Sequence, residues 1–324
     1  MCPACGGRLK PWRQASVTDP QLAGRDAYPL ARCERCGSAV TMDAGSSPTV
    51  GLYEAGTYAD ARGSLDWLLE PLRRLSEIDR TRFLARVPGR ARILEVGAGD
   101  GRFLARLNAD GYRVSGIEPA AGGGAAARSR GVAVQNVGIE EARIDSGSQD
   151  AVVLWHVLEH LDDPGEALDR ARRWLAPGGR AIVACPDLGS LQARIGGDGW
   201  FHQDVPRHRT HFTSTGLRAL LGRTGYRVDR VSHLVIEQNP LGMWQTLLNR
   251  LTRERDVAFR FLKRDLGDVV PRDRRRDLAV TALAGPLLVP VALALELGAG
   301  LARRGGTMVV EAVPAGGDRL PAGG

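Results

Sequence analysis

Ile93-Leu-Glu-Val-Gly-Ala-Gly-Asp-Gly-Arg-Phe-Leu104 places an acidic residue and then three glycines between a short apolar run and a helix-forming run. Glycines at 97, 99 and 101 allow left-handed backbone and clear side chains from the path of a ligand. Amides at a helix start attract polar ligand groups. The stretch therefore reads as a nucleoside-binding turn. Its spacing is Glu-x-Gly-x-Gly-x-Gly. The third glycine of the dinucleotide pattern Gly-x-Gly-x-x-Gly would fall at 102, where Arg102 stands.

Working outward, apolar runs at 92–96, 113–117, 132–134, 151–155 and 180–184 alternate with stretches long enough for helices at 102–109, 120–130 and 164–175. Short buried strands alternating with helices imply right-handed crossovers and an α/β fold with a parallel sheet. Glycines 122–124 lower the propensity of the second helix. A sixth strand is expected at 226–236, preceded by a helix that begins near Thr213, and a last strand at 307–313. Residues 237–304 then form a helical insertion between the final two strands, containing a helix at 241–251, and 315–324 a disordered tail. Upstream, Leu65, Leu68, Leu69, Leu72, Leu75, Ile78 and Phe83 recur at helical spacing, with Pro71 breaking the helix. The expected organisation is a metal-held module at 1–45, a linker with N-terminal helices at 46–90, and a catalytic body at 91–236 plus 305–314.

At 324 residues the chain can bury a substantial core. Its formal charge of +7 is carried almost wholly by arginine, Lys10 and Lys263 being the only lysines, and no basic stretch interleaved with aromatics stands out. The charge is thus weak evidence for a nucleic-acid partner. Four of the five cysteines lie near the start, and Cys2 follows Met1 with no secretion signal between them. A reducing cytoplasmic setting is expected, which favours metal over disulfides. Cys2-Pro-Ala-Cys5-Gly and Cys33-Glu-Arg-Cys36-Gly are two thiolate knuckles, and Cys2, Cys5, Cys33 and Cys36 together make a closed structural zinc site.

Four segments in order carry a family likeness. They are the turn from Glu95 to Gly101, Gly116-Ile-Glu118, the run Val152-Val-Leu-Trp-His-Val-Leu-Glu-His-Leu-Asp-Asp-Pro164, and Leu175-Ala-Pro-Gly-Gly179. Over about residues 90–236 the chain resembles a class I S-adenosylmethionine-dependent methyltransferase, and its Leu-Glu-His-Leu-x-x-Pro segment is similar to ubiquinone-type small-molecule enzymes. The resemblance implies a doubly wound, Rossmann-like sheet of seven strands with the last antiparallel. It implies cofactor contacts from Glu95, Gly97, Ala98, Gly99, Asp100, Gly101 and Trp155, the ribose hydroxyls on Glu118, and adenine near Ile139. The cysteine module resembles N-terminal ribbons of some deoxysugar C-methyltransferases and some ribosomal RNA methyltransferases.

Methyl transfer to a hydroxyl or an activated carbon needs aligned reactants and a proton acceptor. His156 ends the fourth strand. His208 and His211 lie in a stretch where the resembling enzymes carry a loop over substrate. These three are the candidate general bases. The expected acceptor is an O or C nucleophile of a small molecule, a sugar or a lipid-linked compound. RNA methylation with the ribbon as docking element, and a scaffold that binds cofactor without catalysis, are the alternatives. The stretch 278–295 is apolar and uncharged between arginines, and Pro286 and Pro290 predict two short helices there. Those pieces, with the rest of 237–304, are candidates for a helical cap, a homodimer surface or a peripheral membrane contact.

Overall fold

The computed structural model describes residues 1–17, 26–43, 66–262 and 272–316. A seven-stranded sheet dominates it. Its strands are β4 (Arg92–Val96), β5 (Arg113–Ile117), β6 (Ala133–Gln135), β7 (Gln149–Trp155), β8 (Leu175–Pro186), β10 (Tyr226–Ser232) and β11 (Thr307–Pro314). They lie in the order β10-β11-β8-β7-β4-β5-β6. From β6 to β8 neighbouring strands are parallel, whereas β11 runs antiparallel to both β8 and β10. The doubly wound α/β sheet with an antiparallel last strand is therefore present.

Period-two alternation places successive strand residues in opposite layers. Leu94, Val96, Val152, Leu154 and Val183 pack in one apolar cluster, while Ile93, Ala151, Val153 and Ile182 pack in the other. Helices α2 (Arg102–Ala109), α3 (Ala121–Ser129), α4 (Pro164–Trp174), the short α5 (Leu191–Gly196) and α6 (Ser214–Arg223) lie between the strands. Asp163 caps α4 by accepting from the Gly165 and Glu166 amides, each at 2.9 Å. The glycines of α3 are a packing device. A Cβ on Gly123 would stand 3.1 Å from Glu118 Cγ and 3.2 Å from the Gly99 carbonyl, so their absence lets the helix approach the 97–101 turn.

Two expectations about proline are overturned. Helix α1 (Asp66–Thr81) runs unbroken through Pro71; Leu65 lies outside the described residues, as do the side chains at 68, 69 and 72. The 278–295 stretch is not two short pieces but the centre of one helix, α9 (Arg272–Leu301), with Pro286 and Pro290 inside it. Each proline forfeits one helical hydrogen bond, but both rings lie on exposed turns where water can take the freed carbonyls. The Trp244 indole also braces α9 by donating to the Gly285 carbonyl at 2.8 Å. Helices α7 (Asn239–Asn249) and α8 (Val257–Leu262) complete the insertion. Of the expected tail, residues 317–324 lie outside the described residues, as do 44–65 of the linker.

The N-terminal strands β1 (Leu9–Ser16), β2 (Ala27–Cys33) and β3 (Ala39–Thr41) form an antiparallel sheet with a fourth strand that comes from the main body, β9 (Thr210–His211). Ala39 pairs with His211 and Val40 with Thr210. The module is thus built onto the histidine-rich stretch.

Candidate functional site

The turn after β4 is held by hydrogen bonds from the Gly97 and Ala98 amides to the Ile117 carbonyl, at 2.8 and 3.0 Å. Its three glycines have φ of +72°, +55° and +74°. They differ in surroundings. A Cβ on Gly97 would sit 2.5 Å from Val157 Cγ2, and one on Gly101 would sit 2.6 and 2.7 Å from Ala127 Cβ and Cα, whereas one on Gly99 would meet nothing within 4 Å. Gly97 and Gly101 therefore permit close packing, and Gly99 faces open space. Ala98 is buried, and half-exposed Asp100 pairs with Arg130 at 3.1 Å.

Glu118, at the end of β5, accepts from the Gly99 amide at 2.7 Å and from the Ala120 amide at 2.9 Å. One carboxylate thereby ties the turn to the start of α3. Burial pushes its pKa up while those two amides pull it down. Glu95 is buried and hydrogen-bonded to Arg80, whose guanidinium lies 3.8 Å over the Phe103 ring and 4.8 Å over Trp155. Burial raises Glu95 to about 7, with Arg80 opposing. Polar atoms without partners converge here: Glu95 Oε2, Arg80 Nε and Trp155 Nε1 are all buried and unsatisfied. Native proteins rarely leave such atoms orphaned, so this is where an absent polar ligand fits. Ile139 is buried in the adjoining apolar layer.

His156 follows β7 with φ +54°, an uncommon conformation for a residue with a side chain. Its amide donates to the Ala184 carbonyl at 3.0 Å, its Nδ1 lies 3.1 Å from Glu159 Oε1, and its Nε2 is buried without a partner. Glu159 is fully enclosed. Burial alone would raise its pKa, but the hydrogen bond from His156 holds it down to about 2. The next residue, Val157, is the one that Gly97 packs against, so the glycine turn and His156 adjoin.

His208 and His211 are placed differently. His208 Nδ1 donates to the His202 carbonyl at 2.9 Å. Thr41 Oγ1 donates to the His208 carbonyl at 2.6 Å, which commits its one proton, so His211 Nε2, at 3.0 Å, must donate to Thr41. Burial drives His202, His208 and His211 down to about 3, leaving them neutral. Of the three candidate bases, the structure brings only His156 beside the glycine turn. His202 joins it there, its ring stacked 6.0 Å away.

The four N-terminal sulfurs also converge. Cys2, Cys5, Cys33 and Cys36 present Sγ atoms within 4.8 Å of one another, with Cys2–Cys36 at 3.7 Å and Cys5–Cys33 at 3.4 Å. A tetrahedron with zinc–sulfur bonds of about 2.3 Å has edges of about 3.8 Å, so the donor set suits zinc. A second convergence, of Glu159, His160 and His208, is buried, and its Glu159 is the partner of His156. Arg80, Glu159, His202 and Thr41 were not singled out from the sequence. Glu159 had a signal, standing one turn after His156 in a motif already recognised, but Arg80 and Thr41 act only through tertiary contacts.

A model described as a methyltransferase domain matches residues 70–231, half of the chain. An uncharacterised protein of Mycobacterium tuberculosis, Rv1509, is 31% identical over 138 residues, which is 40% of this chain and 43% of that protein. A ubiquinone biosynthesis O-methyltransferase of Azorhizobium caulinodans is 32% identical over 170 residues, covering 48% of this chain and 65% of the enzyme. The chain thus aligns with less than two thirds of the length of these relatives. Among solved structures, a putative sarcosine dimethylglycine methyltransferase from Galdieria sulphuraria shares the fold at TM-score 0.50 and 14% identity, over 78% of this chain and 92% of that one. With a methyltransferase-domain match over half of its length, the glycine turn after β4 and an antiparallel last strand, the chain belongs to the class I S-adenosylmethionine-dependent methyltransferases.

Proposed function

We propose that the chain transfers a methyl group to an O or C nucleophile of a small-molecule, sugar or lipid-linked acceptor, with His156 as general base and Glu159 as its positioning residue. The observation that carries this reading is the His156–Glu159 pair on the strand end that packs against Gly97. Glu95, Arg80 and Trp155 hold the amino-acid part of the cofactor, the 97–101 turn and Glu118 its nucleoside, and Ile139 its base. When bound, S-adenosylmethionine supplies an electrophilic sulfonium methyl. Glu159 keeps the His156 Nδ1 proton in place, so that Nε2 offers a lone pair to the acceptor's departing proton. His208 and His211 stay neutral, join the β9 segment to the ribbon and take no part in the proton transfer.

The cysteine site in this reading holds one structural zinc, a role that suits a reducing compartment. Elemental analysis should find one zinc per chain and its loss in Cys33→Ala. Methyl transfer is tested with catechol, nucleotide-sugar and polyprenyl-linked acceptors, scored by S-adenosylhomocysteine release. His156→Gln should lower kcat about 10²–10⁴-fold while cofactor affinity holds. Glu159→Gln should also lower kcat and change its pH profile. Unchanged turnover in both variants overturns the assignment, and transfer into structured RNA alone overturns the acceptor class.

A further inference from the structure

Helix α9 presents a surface that the methyl-transfer chemistry does not use. By length and composition it could cross a bilayer, yet only 11% of its most apolar window is buried. Leu283, Leu287 and Leu301 are 77%, 73% and 72% exposed, and Val291, Leu293 and Leu297 extend the same surface. A helix apolar on all sides is ordinarily covered, and isolated proteins rarely expose so continuous a patch.

The charges show what kind of surface covers it. Between Arg276 and Arg303 the only charged residues are Asp277 and Glu296, both buried. Asp277 accepts from the Arg253 and Glu254 amides at 3.0 and 2.8 Å, and Glu296 from Gln192 Nε2 at 2.8 Å and the Gly306 amide at 3.2 Å. Both acids are spent as inward anchors, and the outward face is neutral. Exposed arginines stand at either end, Arg275 and Arg276 at one, where Arg276 pairs with Asp277 at 3.0 Å, and Arg303 and Arg304 at the other.

The anchors also fix the attitude of the helix. Both of its ends are tied to the same body, Trp244 holds its middle, and the chain beyond it re-enters the sheet as β11. The helix therefore lies along the protein rather than projecting from it. A crossing is excluded while these bonds hold; an in-plane contact is not.

We propose that α9 docks this protein on an anionic lipid bilayer, its leucines entering the interface and its terminal arginines meeting the headgroups. A second copy fits less well. In any two-fold pairing of this helix with itself, parallel or antiparallel, arginine pairs meet arginine pairs, and no exposed acid between them relieves the repulsion. An anionic bilayer neutralises both ends at once. The inference does not depend on the identity of the methyl acceptor.

Flotation of the full chain with vesicles of phosphatidylglycerol and phosphatidylcholine tests it, beside vesicles of phosphatidylcholine alone. The wild type should float with the anionic vesicles and at least tenfold less with the neutral ones. Leu283→Glu/Leu287→Glu should lose vesicle binding at least tenfold while retaining S-adenosylmethionine affinity by calorimetry, which separates lost docking from lost folding. Arg303→Ala/Arg304→Ala should weaken binding chiefly to the anionic vesicles. Wild-type protein that stays unbound on anionic vesicles overturns the proposal. So does a double-Glu variant that binds cofactor and still floats, or a stable dimer that the double-Glu change dissociates without vesicle binding in the wild type.

Discussion

A single methyl group placed at Gly99 or at Gly101 should damage the protein in two separable ways. At Gly101 the backbone has φ +74°, and a Cβ would stand 2.6 Å from Ala127 Cβ and 2.7 Å from Ala127 Cα. A left-handed alanine costs about 1–2 kcal/mol. Forcing the start of α2 away from the α3 backbone adds about 1–3 kcal/mol of overpacking. Gly101→Ala should therefore lose about 2–5 kcal/mol in urea denaturation. At Gly99, with φ +55°, the Cβ meets nothing within 4 Å, so only the conformational cost of about 1–2 kcal/mol applies. The open space at Gly99 is, on this reasoning, the seat of the nucleoside. Gly99→Ala should bind S-adenosylmethionine at least tenfold more weakly, a loss of about 1.4 kcal/mol or more by titration calorimetry. Wild-type affinity in folded Gly99→Ala, or equal destabilisation by the two changes, would refute the division of labour within the turn.

Thr41→Val removes the acceptor of His211 Nε2 and the donor to the His208 carbonyl, both buried, and should cost about 2–4 kcal/mol in urea melts; a change under about 0.5 kcal/mol sinks the coupling of ribbon to loop. His211 is held near 3 when folded, against about 6.5 unfolded, so the unfolded chain binds the extra proton and stability falls as pH drops through that window. His211→Gln should accordingly lose about 1 kcal/mol less than wild type between pH 5.5 and 4.5; parallel stability curves would contradict a neutral buried His211. Glu95, raised to about 7, favours the folded state most at low pH and loses that contribution as pH rises through 7. Without the opposing guanidinium, Arg80→Met should carry this loss above pH 7, read as a larger drop in stability from pH 6 to pH 8 than in wild type, and should weaken cofactor binding at neutral pH.

The parts of this molecule that read directly from the sequence are those whose signal is local. The Glu95-to-Gly101 turn, the strands around it and Glu118 follow from spacing within one βαβ unit, and the two knuckles from the Cys-x-x-Cys pattern. Glu118 was legible as the carboxylate that closes the second strand, where the proposal seats the ribose. Its second role, bridging the Gly99 and Ala120 amides, was not, because it depends on how closely α3 approaches. The glycines of α3 counted against a helix by propensity, yet they are what permits that approach. Pro286 and Pro290 misled for a related reason. Helix breaking is a rule about lost local bonds, and here a tertiary brace from Trp244 with exposed turns at the prolines offsets the loss.

The histidine-rich stretch shows how function can rest on a contact no local rule reveals. Read alone, 196–212 is a loop over substrate that offers His208 and His211 as bases. In the structure its end is the fourth strand of the N-terminal sheet, and a single Thr213 hydroxyl donates to the Cys36 carbonyl at 2.6 Å while accepting the Gly216 amide that begins α6. The second thiolate knuckle, the cap of α6 and the ring of His211 are thus one hydrogen-bonded assembly. The Arg209 amide continues it by donating at 2.7 Å to the carbonyl of Glu159, the residue whose carboxylate meets His156. A change at the cysteines therefore reaches the segment after β7 through this chain of side-chain and backbone hydrogen bonds. Loss of metal should lower turnover by disturbing His156 before it disturbs the glycine turn, because Gly97, Ala98 and Glu118 are held by β5 and α3 and share no hydrogen bond with the ribbon among the described residues. With His156 as the proposed base, the ribbon would act on the chemistry through the position of that side chain, even though a four-thiolate zinc site is closed to substrate.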